Sequence, residues 1–381
     1  MDPVEEAKTF GVKVVALSVI LLVTIAPMLG GLLYFRLHRN WDAIWLTWLD
    51  DPHTTITICW HWGLQKKAYV LYWNETFRGI IRTGRCSKTN LVTIQHLSPD
   101  TEYAYVIGFF EGQKMVNWSN ILRFRTAPRE AKSFRVLVQS DTHAPSYGAL
   151  RRFVERASSE NFDFTIHCGD LVDRSYEENW ASFFIAEQRI LSVHPIMPTL
   201  GNHEVMYGGD PSYYHRLTGH DRWYCFEYSN ALFVTIYVAN YDEFKFPEEE
   251  REFLLRAMRY ADKHGMWKIL YFHIPPVSPI PAESNPQISQ IVMPLIEECS
   301  PHVVLMGHVH AYARMHVGDR TTYVIMGPLG GIPNVYAADM RGVDSYAFGY
   351  GYLLMSFNNN TIRCEYRTLD GRTVDTFEVY R

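Results

Sequence analysis

The chain repeats one pattern: a short apolar run stops abruptly at a polar tip. Phe134 to Ser140 ends at Asp141-Thr142-His143, and Phe164 to His167 ends at Gly169-Asp170. Pro195 to Leu200 runs into Gly201-Asn202-His203-Glu204. Further on, Trp267 to Phe272 ends at His273, and Val303 to Met306 ends at Gly307-His308-Val309-His310. Runs of this length, rich in β-branched and aromatic residues, read as buried strands. Helical stretches from Gly148 to about Ser158 and from Glu177 to Ile190 separate the first three, so the pattern is α/β layering. In open α/β sheets the carboxyl ends of the strands form the ligand crevice. Taken singly, each tip is most simply a turn former or a helix cap. Together, the tips are a set of side chains suited to chemistry.

The rest of this region keeps the same theme less regularly. Trp223 to Tyr228 and Ala231 to Tyr237 read as a hairpin. Pro247 to His264 reads as a helix, with acids in its first turn and Phe253, Leu254, Ala257, Met258 and Ala261 at helical spacing. Strand-like runs at Thr321–Ile325, Tyr350–Phe357, Thr361–Thr368 and Asp375–Tyr380 close the chain. The expected fold for residues 133–381 is a β-sandwich flanked by helices.

Residues 41–128 read differently. Thr54 to Trp62 alternates polar with apolar at period two, and further strand-like runs lie at Ala68–Trp73, Asn90–His96, Glu102–Phe110 and Ile121–Thr126. No helical run interrupts them, so a small all-β domain is expected, joined by the linker Pro128–Lys132. Ahead of it, Val14 to Phe35 carries no charge and is long enough to span a bilayer as a helix. The expectation is a single-pass signal anchor with the catalytic domain on the extracytoplasmic side. A cleaved signal peptide and a buried core helix are the competing readings. The charges flanking the run nearly balance, so they do not orient it.

A formal charge of -5 argues against a nucleic-acid binder. The six cysteines are scattered without a Cys-x-x-Cys pair, which excludes a zinc ribbon and does not resemble a disulfide framework.

The candidate metal ligands are Asp141, His143, Asp170, Asn202, His273, His308 and His310. Imidazoles, carboxylates and one amide oxygen, without thiolates, suit manganese, iron or zinc better than calcium. An aspartate shared by two divalent ions would leave open positions for water and a phosphate ester substrate, the arrangement needed for in-line phosphoryl displacement by a metal-activated hydroxide.

Asp-x-His, Gly-Asp-x-x-Asp, Gly-Asn-His-Glu, a lone strand-end His and Gly-His-x-His, in that order, resemble the signature of calcineurin-like metallophosphoesterases. Gly307 to Tyr312, the Gly327-Pro-Leu-Gly-Gly run and Leu369-Asp370-Gly371 are similar to purple acid phosphatases. Leu97 to Tyr105, Trp118-Ser119 and Phe124 to Pro128 resemble the fibronectin type III-like domain that precedes the catalytic domain in that subfamily.

The resemblance implies one ion held by Asp141, His143, Asp170 and His310, and another by Asp170, Asn202, His273 and His308. It implies His203 as the imidazole that orients phosphate or protonates the leaving oxygen, with Glu204 positioning that ring. Purple enzymes have Gly where this chain has His143 and Tyr where it has Asp173, so a colourless site of two divalent ions is expected. Asp173 is either a hydrogen-bond partner of a ligand or a turn residue. Arg314 is either a phosphate binder or half of a salt bridge, and Tyr207 is expected to shape the substrate mouth. Cys168, His167, His194, His302 and His316 are expected to be structural. The leading function is phosphomonoester hydrolysis; phosphodiester hydrolysis and an inactive binding module are the alternatives.

Overall fold

Twenty-one strands and six helices arrange the described residues of the computed structural model, which are 42–61, 67–83, 87–242, 244–317, 320–334 and 339–381. The apolar run at 14–35 lies outside them; among the described residues, no helix is long and apolar enough to cross a membrane. Residues Asp42–Arg381 form one compact unit.

The amino-terminal part holds β1 (Ala43–Thr47), β2 (Ile56–His61), β3 (Ala68–Trp73), β4 (Arg78–Arg82), β5 (Thr89–Ile94), β6 (Glu102–Glu111), β7 (Lys114–Asn117) and β8 (Leu122–Arg125). They build two antiparallel sheets, β1-β2-β5 and β4-β3-β6-β7, with β8 on β6. Tyr103 stands near the start of the long β6. Its hydroxyl accepts the Ser98 amide at 2.9 Å, pinning the preceding turn.

The larger part begins with β9 (Phe134–Gln139), α1 (Tyr147–Ala157), β10 (Phe164–His167), α2 (Glu177–Leu191) and β11 (Ile196–Pro198). Then come α3 (Asn202–Val205), α4 (Ser212–Thr218), β12 (Tyr224–Tyr228), β13 (Ala231–Thr235) and α5 (Glu248–Lys263). After β14 (Trp267–Tyr271), a 3-10 turn (Pro281–Glu283) and α6 (Pro286–Cys299) lead to β15 (Val303–Met306), β16 (Tyr312–Val317) and β17 (Thr321–Ile325). The chain ends with β18 (Val343–Ala347), β19 (Gly351–Phe357), β20 (Thr361–Thr368) and β21 (Thr373–Tyr380).

These strands form a six-stranded sheet, β11-β10-β9-β19-β20-β21, and a seven-stranded sheet, β12-β13-β14-β15-β17-β16-β18. The parallel runs are β9-β10-β11 in one and β13-β14-β15-β17 in the other. Period two decides how the sheets face. Val136 and Val138 of β9, with Phe164 and Ile166 of β10, share a core with Phe233, Ile269, Tyr271 and Leu305 of the second sheet. The intervening Leu232, Val234, Leu270 and Val304 point outward and pack under α5 and α6. The Phe164 and Phe233 rings meet edge to face at 5.3 Å across the interface.

The small β part is packed firmly on this sandwich. Trp45 stacks on Phe184 of α2 at 3.9 Å, and its indole nitrogen donates to the Leu217 carbonyl at 3.0 Å. The Thr47 hydroxyl donates to the Ile196 carbonyl at 2.8 Å, and that of Tyr105 to the Ser192 carbonyl at 2.6 Å.

Several elements went unread in the sequence, α6, β16 and β18 among them. Helix α6 opens with Pro286 and contains Pro294, which cannot donate a helical bond and reads as a breaker. It forms because Asn285 accepts from the amides of Gln287 and Ile288, and because Ile288, Val292, Leu295 and Ile296 bury one face. Strand β18 is the edge of the seven-stranded sheet, where little alternation is required of it, and β16 lies between it and β17. In α5 the buried stripe is Leu254, Leu255, Met258 and Ala261, with Phe253 and Ala257 at its margin.

Glu187 of α2 is fully buried, and the Gln139 amide donates to one of its oxygens at 2.8 Å. Its other oxygen and the Gln139 side-chain oxygen Oε1 have no partner. A proton on Glu187 supplies the donor these two acceptors lack, and burial raises its pKa to about 8, the Gln139 bond opposing. The folded state therefore holds a proton that the unfolded chain releases near ~4.3, so stability falls as pH rises between these values and levels off above the higher one. Glu187→Gln is expected to raise stability, read from urea unfolding, by more than ~1 kcal/mol at about pH 8, while matching wild type at about pH 4. Equal midpoints at both values would show that Glu187 is not held neutral.

Candidate metal centre

The site lies where the parallel strands of both sheets end. Asp141 and His143 follow β9, Asp170 follows β10, Asn202 and His203 open α3 just after β11, His273 follows β14, and His308 and His310 follow β15. All seven expected ligands come together. Donor atoms of Asp141, His143, Asp170 and His310 lie within 4.8 Å of one another, and those of Asp170, His273 and His308 do likewise.

The Asp170 carboxylate stands between the two groups. One oxygen is 3.1 Å from His273 Nε2 and 3.5 Å from His143 Nε2, and the other accepts the His203 amide at 2.9 Å. Asn202 Oδ1 lies 2.9 Å from both His273 Nε2 and His308 Nδ1. On the other side, His310 Nε2 is 3.4 Å from an Asp141 oxygen and 2.9 Å from His143 Nε2.

Backbone carbonyls determine which ring nitrogens face inward. His273 Nδ1 sits 2.8 Å from the Cys168 carbonyl, and His310 Nδ1 sits 2.9 Å from that of Ile332. A carbonyl only accepts, so each Nδ1 carries hydrogen and, in the neutral ring, each Nε2 presents a lone pair to the centre. Two carboxylates, the Asn202 oxygen and these lone pairs make a buried, acceptor-rich pocket. Such a set is costly without cations and fits two divalent ions.

The backbone is bent to achieve this. Asp141, His143, Asp170, His308 and His310 all have positive φ, between 42° and 71°, and make up five of the nine such non-glycine residues among those described. Left-handed backbone at non-glycine residues persists where the surroundings impose it. Glycines appear where a Cβ would not fit: one on Gly201 would lie 2.1 Å from Asp170 Oδ1, and one on Gly169 2.6 Å from His273 Nδ1.

Charge is set by burial and partners. Burial would raise the Asp141 carboxyl, but the His310 hydrogen bond and the His273 and His310 charges hold it at about 2. Burial opposes protonation of His273, yet the Asp170 charge and hydrogen bond raise it to about 9 in the absence of cations. His308 is lowered to about 4 by burial and by the His273 charge.

Glu204 departs from expectation. It does not position the His203 ring. His203 Nδ1 lies 2.7 Å from the Asp173 carbonyl, which leaves Nε2 as the other polar atom of the ring. Glu204 is fully buried and turns to the Asp170 loop: one oxygen accepts from the amides of Asp170 at 3.0 Å and Gly201 at 2.7 Å, the other from Val172 at 3.0 Å. The Asp173 carboxylate faces two imidazoles, 3.7 Å from both His143 Nδ1 and His203 Nδ1.

Arg314 binds Asp375 at 2.8 Å and Asp344 at 3.1 Å, so its guanidinium serves a structural salt bridge. Cys168 is fully buried, and burial pushes its thiol well up, while its carbonyl serves His273. His167 is buried beside the Thr142 hydroxyl, and His194, His302 and His316 contact Asp163, Lys268 and Asp344.

A cleft of about 330 Å³ opens onto Asp170, Asn202, His203, His308 and His310, with Tyr207 at its edge. Glu283 and the Ile332–Asn334 segment also line it and were missed in the sequence, since both sit in irregular loops without periodicity. The one available signal was the Pro-rich stretch after His273.

Residues 134–312 match the family model described as calcineurin-like phosphoesterase. The purple acid phosphatase PPD1 from yellow lupin (Lupinus luteus) seeds superposes with a TM-score of 0.72 at 17% identity, covering 90% of this chain and 75% of that one. The structure of PhoD superposes with a TM-score of 0.68 at 13% identity, covering 89% and 88%. These are likenesses of fold. No curated protein is a significant sequence match.

Glu204→Ala would strand three buried amides. It is expected to lower stability by about 3 kcal/mol, read from the urea midpoint; a change under ~0.5 kcal/mol would show that the Asp170 loop is held by other contacts.

Proposed function

The chain carries a calcineurin-like phosphoesterase domain over residues 134–312, and from that premise we propose that it hydrolyses phosphomonoesters with two divalent ions of manganese, iron or zinc. The observation that carries the reading is the convergence of seven donors with Asp170 within reach of both groups. In this reading Asp141, His143, Asp170 and His310 hold one ion, and Asp170, Asn202, His273 and His308 hold the other. Bound there, the ions would acidify water and offset the charge that builds on the phosphoryl oxygens.

The remaining work falls to the chain's own residues. The Asp173 carbonyl fixes the His203 ring through Nδ1, so Nε2 is the atom that meets phosphate or delivers a proton to the leaving oxygen. Burial lowers the His203 pKa, the Asp170 charge opposing, which favours a ring that gives up its proton readily. The Glu204 clamp on the amides of Asp170, Val172 and Gly201 keeps the shared carboxylate in register with both groups. Thr142 and Leu171 tie the two ligand loops together, the Thr142 hydroxyl donating to the Leu171 carbonyl at 2.7 Å.

The resemblance sets His143 and Asp173 against the Gly and Tyr of purple enzymes, and the reading accordingly takes the site to be colourless, with divalent ions. The same reading keeps residues 41–128 as a fibronectin type III-like module and Val14 to Phe35 as a single-pass membrane anchor with the catalytic domain extracytoplasmic. Its support is the uncharged run and the all-β layout of the first eight strands.

Metal analysis of purified protein, paired with nitrophenyl phosphate and its bis-ester, tests the proposal. Faster turnover of the monoester is expected; preference for the bis-ester would move the assignment to phosphodiesters, and no turnover with any of the three metals would favour a binding module. Asp170→Ala is expected to lose metal and activity together. Full activity in that variant would sink the two-ion site. His203→Ala is expected to keep its metal and lose ~10²-fold or more in kcat; an unchanged rate would remove His203 from the chemistry.

A further inference from the structure

The cleft beside the metal centre is unusual in its charge. No lysine or arginine lines it among the described residues, yet a second carboxylate, Glu283, does so besides Asp170. Glu283 places its oxygen 3.7 Å from His308 Nε2, on the side of that ring away from Asn202, and keeps its side chain 35% exposed. It is not a floppy rim residue. It closes a 3-10 turn, its amide donating to the Ile280 carbonyl at 2.9 Å. Two residues later Asn285 caps α6 and donates to the Tyr241 carbonyl at 3.3 Å, tying this loop to the segment that carries Tyr241.

Two phenol rings stand nearby. Tyr241 lies 6.1 Å from the His308 ring, Tyr207 lies 4.4 Å from the His203 ring, and their hydroxyls meet at 2.5 Å. Val309, Ile332 and Pro333 supply an apolar wall. A fixed carboxylate so near a phosphate site works against any substrate whose only charge is negative. A substrate carrying its own cation reverses the sign of that interaction. A carboxylate with aromatic rings and an apolar wall is the surrounding that suits a quaternary or primary ammonium.

Building on the phosphatase reading above, we propose that Glu283 selects phosphate esters of cationic amino alcohols, of the choline or ethanolamine type, seating the ammonium while phosphate occupies the metal centre. Water adds to phosphorus, the ester P–O bond breaks, and one proton of that water ends on the departing alcohol oxygen. Glu283 touches the alcohol portion and takes no part in the bond changes. The products are the free amino alcohol and inorganic phosphate.

Phosphocholine and neohexyl phosphate, its uncharged carbon isostere, separate charge from shape. The full-length, metal-loaded protein is expected to turn over phosphocholine with a kcat/KM at least ~10-fold above that of neohexyl phosphate. Choline chloride is expected to compete with neohexyl phosphate. Glu283→Gln keeps an acceptor facing His308 but removes the charge, and should bring the ratio of the two esters near unity with metal content unchanged. Equal use of both esters by the wild type would overturn the assignment, as would an unaltered ratio in Glu283→Gln. Parallel loss of both activities together with metal would overturn it too and give Glu283 the task of holding His308. Turnover of nitrophenyl phosphate without either alkyl ester would overturn this inference and spare the phosphatase reading; no turnover of any ester would overturn both.

Discussion

The Asp170 carboxylate is the point on which the molecule depends. Its two oxygens reach His143, His273 and the His203 amide, which belong to three separate segments of the chain. For those segments to meet, β9, β10 and β11 must run parallel in one sheet, and β14 and β15 must run parallel in the facing one. The carboxyl ends of both sheets then converge on one edge of the sandwich. The apolar alternation that buries Val138 and Ile166 against Tyr271 and Leu305 is thus also what brings the polar tips together.

The site is bought with strain and buried charge. Five non-glycine residues in left-handed backbone cost on the order of 1–3 kcal/mol each. Asp141, Asp170 and His273 are almost wholly buried, and buried ionisable groups must find partners. The partners are local: Asp141 accepts the His308 amide twice, and Glu204 takes up three amides of the Asp170 and Gly201 turns. The surrounding frame carries the rest. Trp45, Thr47 and Tyr105 of the small β part bond to backbone near the ends of α4, β11 and α2, fixing that part to the sandwich.

Much of this was legible before the fold was known, because strand ends announce themselves. Phe134 to Ser140 and Phe164 to His167 are apolar and brief, and each gives way within two residues to a polar tip. The closing strand β20 is also plain in its period. Features that depend on contact rather than pattern could not be read. Glu204 adjoins His203 in sequence, so the natural expectation joined their roles, yet consecutive residues on a helix point apart. The carbonyls of Cys168, Ile332 and Asp173 fix three imidazoles, and a carbonyl leaves no trace in residue type. Glu283 belongs to a Pro-rich loop with no period, and α6 was hidden by its own Pro294.

In the proposed reading, where the resemblance sets His143 and Asp173 against the Gly and Tyr of purple enzymes, the change would have a physical logic of its own. A tyrosinate suits a trivalent ion; a neutral imidazole in its place lowers the negative charge offered to that position. The Asp173 carboxylate returns some of it from outside, 3.7 Å from His143 Nδ1 and from His203 Nδ1. With half its surface exposed it is screened by water in a way that Asp170 is not. Moving charge from a direct ligand to a solvated neighbour weakens the hold on a trivalent ion more than on a divalent one, since attraction scales with the ion's charge. The same carboxylate ties the centre to His203, because one residue supplies the carbonyl that fixes that ring and the charge that faces both imidazoles. In the proposed two-ion site, the turn that carries Asp173 would thus bear both on the charge offered to the ions and on the orientation of His203.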